Sequence, residues 1–174
     1  MIKNEIQELF NERDLFAKLI AKARLSNLSF DVYSFRKYEM VVDLIFAEKS
    51  QFKNLQEAFA AIFKKELFER EEWDISDEPA PSDKQWIEAL KNIWIHEYFL
   101  KYRGICLEYV NSENFINRFK VDLFDVDSPE SIVKELLMKL NNIETIQVKK
   151  GHVYDQIFGQ SESHYFLFEW GIYD

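Results

Sequence analysis

The sequence predicts a single α+β domain spanning residues 1–174, with about four helices and a mostly antiparallel sheet of about five to seven strands. Apolar residues switch between helical spacing and strand-like alternation along the chain. Aromatics make up 16% of the residues against only four glycines, the composition of a dense core and not of a disordered chain. No repeat period or low-complexity tract divides the 174 residues, a length that buries enough surface for one self-sufficient core.

The elements follow in order. Ile6, Leu9, Phe10, Phe16, Leu19, Ile20 and Ala23 recur at helical spacing, so residues 3–25 read as one amphipathic helix with a break near Asn11. LSFDVYSF (28–35) and YEMVVDLIFAE (38–48) are rich in β-branched and aromatic residues and read as an antiparallel hairpin. Asn54 with Glu57 forms a capping pair ahead of Leu55, Phe59, Ile62 and Phe63, which predicts a second helix running into an acidic segment. Ser82 with Gln85 repeats the capping pattern and starts a helix carrying Trp86, Leu90, Ile93 and Trp94, with Gly104 as its stop.

ICLEYV (105–110) then reads as a strand, FINRF as a short turn, and KVDLFDV (120–126) as another strand. Asp127-Ser128-Pro129-Glu130 marks a helix start with proline at the first helical position, and Ile132, Leu136, Leu137 and Leu140 form its buried stripe. IETIQV (143–148), a turn at Lys150-Gly151, a VYDQIF run and SHYFLFEWGIY (163–173) complete the chain as paired strands.

The net charge of −9 is concentrated in one place. Residues 66–83 hold eight of the 31 acids and one of the 22 bases, which leaves 23 acids and 21 bases for the rest of the chain. The longest basic runs are Lys64-Lys65 and Lys149-Lys150, too short for the clustered cations that displace counterions from a nucleic-acid backbone, so direct nucleic-acid binding is disfavoured. Acids interrupt the apolar residues of MIKNEIQELFNERD, and no apolar run reaches the roughly 18 residues of a membrane span. Cys106 is the only cysteine, so no internal disulfide can form; together these features predict a cytoplasmic protein without membrane contact.

Motifs for chemistry are mostly excluded by what they lack. Glycines stand only at 104, 151, 159 and 171, so neither kind of glycine-rich phosphate cradle is present. GQSES (159–163) has one glycine where a nucleophile elbow needs two. His96-Glu97 begins like a zinc-protease helix, but position 100 is Leu where the second imidazole must return. His152, Asp155, Glu162 and His164 lie close enough in sequence for two strands to bring both imidazoles together. Such a pair binds a metal or works as acid and base, which makes His152 and His164 the candidates for a metal-dependent or His-dependent hydrolase or nuclease. Cys106, between Ile105 and Leu107, reads as a small core residue and not as a nucleophile.

HEYFLKYRGICLEY (96–109) resembles a helix, glycine and Cys-containing strand found in an uncharacterised family of bacterial proteins. The resemblance covers 14 residues and implies no role for any of them.

Leu67, Phe68, Trp73 and Ile75 interleave with the acids of the proline-containing connection 66–83. An aromatic ringed by carboxylates is the composition of an interface, in which the aromatic supplies desolvated contact and the acids orient a basic partner. The sequence therefore predicts a non-enzymatic, cofactor-free acidic binding protein of the immunity type, which occludes the positive cleft of a basic toxin, a nuclease domain above all. Glu69, Glu71, Glu72, Asp74, Asp77 and Glu78 are the expected partners of Lys and Arg, with Trp73 as the apolar anchor. An adaptor or subunit that binds through an aromatic surface elsewhere is the alternative, and it requires an exposed aromatic patch outside residues 66–83.

Overall fold

Six strands pair antiparallel in the order β1-β2-β6-β5-β4-β3, where β1 is Asp31–Lys37, β2 Met40–Glu48, β3 Glu108–Val110, β4 Glu144–Lys149, β5 Tyr154–Gln160 and β6 His164–Ile172. The structure is a computed structural model that describes residues 1–69, 79–101 and 104–173. Among these, six α-helices join the sheet in one α+β domain: α1 (Ile2–Asn11), α2 (Arg13–Lys22), α3 (Leu55–Lys64), α4 (Lys84–Ala89), α5 (Ser112–Asp125) and α6 (Glu130–Met138).

Both faces of the sheet are covered. Alternate residues of one strand go to opposite sides: in β2, Val42, Leu44 and Phe46 pack with α5 and α6, while Ile45 and Ala47 pack with α1 to α4. On β6, Phe166 and Phe168 take the first side and Tyr165 and Leu167 the second. A central strand buried on both faces has no solvent side to mark with polar residues, which is why these strands read as nearly continuous apolar runs.

The expected break near Asn11 falls at Glu12, which separates α1 from α2. Asn54 Oδ1 accepts from the Glu57 backbone N–H at 2.9 Å and caps α3 as the sequence predicts. The cap of α4 moves by one residue: Asp83, not Ser82, accepts from the Trp86 N–H, at 2.8 Å. Two helices change their winding at their ends. α3 runs on as wide i→i+5 turns over Lys65–Glu69, and α4 does so over Leu90–Lys101. Gly104, with φ +64°, follows as the expected stop. Pro129 caps α6 from one position outside it, so Glu130 is the first helical residue.

One predicted strand is a helix. Residues 120–125 belong to α5 and Val126 is its C-cap, while the Asn111 side chain caps its start by accepting from the Asn114 N–H at 3.1 Å. Phe115, Phe119 and Leu123 recur every four residues, all buried against the α5 face of the sheet, while Val121 and Phe124 face solvent. VDLFDV alternates by coincidence of composition, and the four-residue stripe over the whole segment decides its structure. ICLEYV shortens to the three residues of β3, although Cys106 N–H still donates to the Val148 carbonyl at 3.0 Å.

Candidate functional site

Polar residues occupy one row across the face of the sheet that packs with α1 to α4. Ser34 stands opposite Asp43, Asp43 opposite Glu169, Glu169 opposite Gln156, and Gln156 opposite Lys149, so one polar residue from each of five adjacent strands lies at the same level. The next row on that face, Val32, Ile45, Leu167, Phe158 and Ile146, is wholly apolar. Gln156 is fully buried and Glu169 nearly so. Burying such groups costs several kcal/mol unless they bond one another, so the row is held together by internal partners.

Gln156 Nε2 donates to Glu169 Oε1 and, at 2.6 Å, to the Tyr98 hydroxyl. The Tyr154 hydroxyl donates to the same Glu169 oxygen at 3.2 Å and stands 3.5 Å from the Tyr98 hydroxyl. Lys149 Nζ sits 3.1 Å from the centre of the Tyr98 ring, and Tyr98 in turn stacks on buried Trp94. Gln156 Oε1 is buried without a hydrogen-bond partner among the described residues. Burial first, then the charge of Glu169, pushes the Tyr154 phenol well above its ordinary range. A phenol kept protonated in this way remains a hydrogen-bond donor to the Glu169 carboxylate.

The row also reaches the helices that carry the acidic connection. Tyr98 lies on the wide turns that continue α4, and Glu66 is buried on those that continue α3, close enough to add its charge to the field that raises Tyr154. Phe68 stacks on Trp94 with ring centres 5.2 Å apart and also meets Trp86 at 5.9 Å. The Arg24 guanidinium donates to the Pro79 carbonyl at 3.4 and 3.5 Å. The acidic connection therefore leaves one body at Phe68 and returns to it at Pro79 and Asp83. Of the predicted contact residues, Glu69 ends the wide turn, and Glu71, Glu72, Trp73, Asp74, Asp77 and Glu78 lie outside the described residues.

The two histidines do not come together. In the β5–β6 pair, Tyr154 stands opposite Gly171 and Gln160 opposite Tyr165, which puts His152 and His164 at opposite ends of the hairpin, about 30 Å apart at 3.3 Å per residue. Antiparallel pairing separates residues that flank a strand on one side and its turn on the other, and sequence proximity does not register this. His152 is exposed in the β4–β5 connection. His164 lies against Phe46, with Ser163 Oγ 2.8 Å from its Nδ1, and burial and then Lys139 push its pKa down. Asp155 pairs instead with Arg118 at 2.9 Å, and Glu162 bonds Asn142. Among the described residues, no group of three His, Cys, Asp or Glu side chains can hold a metal ion.

Cys106 is half-buried, and burial, then the Glu108 charge, raise its thiol, which disfavours the thiolate a nucleophile needs. No described helix is long and apolar enough to cross a membrane. Comparison with protein-family models, with curated proteins and with solved structures gives no match to the chain.

Sequence reasoning missed the polar row. Its signal was present as a polar residue at an inward position of several apolar strands: Asp43 in MVVDLIF, Gln156 in VYDQIF and Glu169 in YFLFEWGIY.

Proposed function

We propose that this protein is an acidic binding protein of the immunity type, which neutralises a basic toxin by presenting Glu69, Glu71, Glu72, Trp73, Asp74, Asp77 and Glu78 of the acidic connection to its positively charged cleft. A nuclease is the toxin class that fits best, because its cleft must hold phosphates. One observation supports the reading: the segment 66–83, with eight acids and one base, meets the rest of the fold on both sides, at buried Glu66 and Phe68 where it begins and at Pro79 and Asp83 where it ends.

The test is protection. The product of the gene directly upstream is expressed alone and together with this protein, and growth is compared with that of the triple variant Glu71→Lys, Glu72→Lys, Asp74→Lys. Wild-type protein is expected to restore growth and the triple variant to fail; equal protection by both removes the site from the account.

A second reading, an adaptor with an aromatic surface, is favoured by Tyr38 and Phe124, which are 89% and 79% exposed. The ion pair between Lys37 and Asp127, 2.8 Å long, holds the β1–β2 turn beside the end of α5. Partner binding through that surface would survive moderate salt and be lost in Tyr38→Ser, Phe124→Ser.

A further inference from the structure

We infer that β1 pairs with β1 of a second copy of this chain, antiparallel and about a two-fold axis at Ser34, so that two six-stranded sheets join edge to edge. β1 and β3 are the two edges of the sheet, and they differ in length: β3 has three residues, whereas β1 has the seven of Asp31–Lys37. Those seven stay in unbroken register with β2, from Asp31 opposite Phe46 to Lys37 opposite Met40, and none is proline. Among the described residues, β2 is the only element that hydrogen bonds the β1 backbone. The outer side of the strand is therefore a row of N–H and C=O groups open to a further strand.

An open edge does not choose its occupant, but the side chains of this one do. Asp31, Arg36 and Lys37 put three charges on seven residues, which disfavours pairing with an arbitrary strand. Set antiparallel to its own copy, the same strand matches. Opposed residues share a face of the sheet, so a two-fold axis normal to it must place one residue opposite itself. Only the centre at Ser34 pairs all seven residues: Asp31 then stands opposite Lys37, Val32 opposite Arg36 and Tyr33 opposite Phe35. A centre at Phe35 would set Asp31 opposite Glu39, and a centre at Tyr33 would set it opposite Phe35.

The Ser34 register gives each face something to bury. Tyr33 and Phe35 lie half-buried against the α5 and α6 side of the core, and their cross-strand pairing extends that cluster over the axis. On the other face Val32, 43% exposed, receives the aliphatic stem of Arg36 from the second copy. The end charges are available as well. Asp31 meets Lys139 through Oδ2 and Lys37 meets Asp127 on their own chain, yet the Asp31 and Lys37 side chains are 56% and 37% exposed. A carboxylate has a second oxygen for another cation, and an ammonium carries three donors. This contact is independent of the toxin-binding reading.

Sedimentation of the full chain between ~5 and ~500 μM should pass from the mass of one chain towards that of two. Asp31→Lys and Lys37→Asp each set like charges opposite one another at both ends of the paired strands, so each alone should weaken self-association about tenfold. Mixed in equal amounts, the two variants bring opposite charges together at both ends, and the mixture should regain the wild-type affinity. The lost internal contact with Lys139 or Asp127 persists in the mixture, so recovery reads the contact between copies and not the fold of either. A wild-type chain that stays monomeric at ~500 μM leaves the edge to a strand of another protein and overturns the proposal. Single variants that associate as tightly as wild type, or a mixture as weak as its components, would overturn it too.

Discussion

Gln156 of β5 and Glu169 of β6 face each other across an antiparallel pair, and the Gln156 amide donates to the Glu169 carboxylate in the interior of the protein. A charged acceptor and a neutral amide replace what would ordinarily be two apolar side chains. The pair joins the sheet to Tyr98 and so to the helix that leads back from the acidic connection.

Gln156→Leu should lower the unfolding free energy by about 2 kcal/mol, because the Glu169 carboxylate and the Tyr98 hydroxyl each lose a buried donor. Gln156→Glu should cost more, since it puts a second carboxylate against the first. Urea unfolding of the two variants orders them; a Gln156→Leu protein as stable as wild type would show that the row contributes nothing to the fold.

Alkaline pH should destabilise the protein. Tyr154 keeps its proton in the native state to a higher pH than in the unfolded chain, and burial, and then the Glu135 carboxylate, push Tyr33 up to about 12. The native state then binds more protons than the unfolded one above the ordinary tyrosine value of 10, so stability is full below that pH and falls as pH rises through it. Tyr154→Phe should flatten the fall between about pH 10 and 11.5. Equilibrium unfolding across that window is the measurement.

Arg118 is a bridge between α5 and β5, 3.1 Å from Asp122 and 2.9 Å from Asp155, whose side chains are each 13% exposed. Arg118→Ala leaves Asp122 without its cation and Asp155 with only the Gly151 N–H and the Gln147 amide, and should cost about 3 kcal/mol. Asp122→Asn should cost under about 1 kcal/mol, because burial already raises the Asp122 pKa and Arg118 keeps Asp155. Thermal unfolding of the two variants at pH 7 separates the cases.

Gly159→Ala should destabilise by about 2 kcal/mol or more. A Cβ at this position would lie 2.4 Å from Phe166 Cζ and 2.8 Å from Thr145 Cγ2, atoms of a ring and a strand that are both buried. A drop in Tm of several degrees checks it.

The sheet and its helices were legible where local chemistry decides structure: the Asn54 cap, the β1–β2 hairpin, Gly104, and the repeated leucines of α6. What was not legible depended on register. Asp43, Gln156 and Glu169 lie more than ten residues apart, and nothing in any one strand says that they stand level in three neighbours. The same ignorance of register made His152 and His164 look like a pair. α5 was hidden for another reason: Val121, Leu123 and Val126 alternate with acids over a short window, while the stripe that decides the helix needs Phe115 and Phe119 as well.

The most direct test of the central claim is the affinity of this protein for the upstream gene's product, measured at ~50 and ~200 mM salt for wild type and for Glu71→Lys, Glu72→Lys, Asp74→Lys. Binding through the acidic connection predicts a wild-type affinity that falls about tenfold with salt and a variant that binds at least about tenfold more weakly, with a flatter salt dependence. Equal affinities at both salt concentrations, for both proteins, would contradict it.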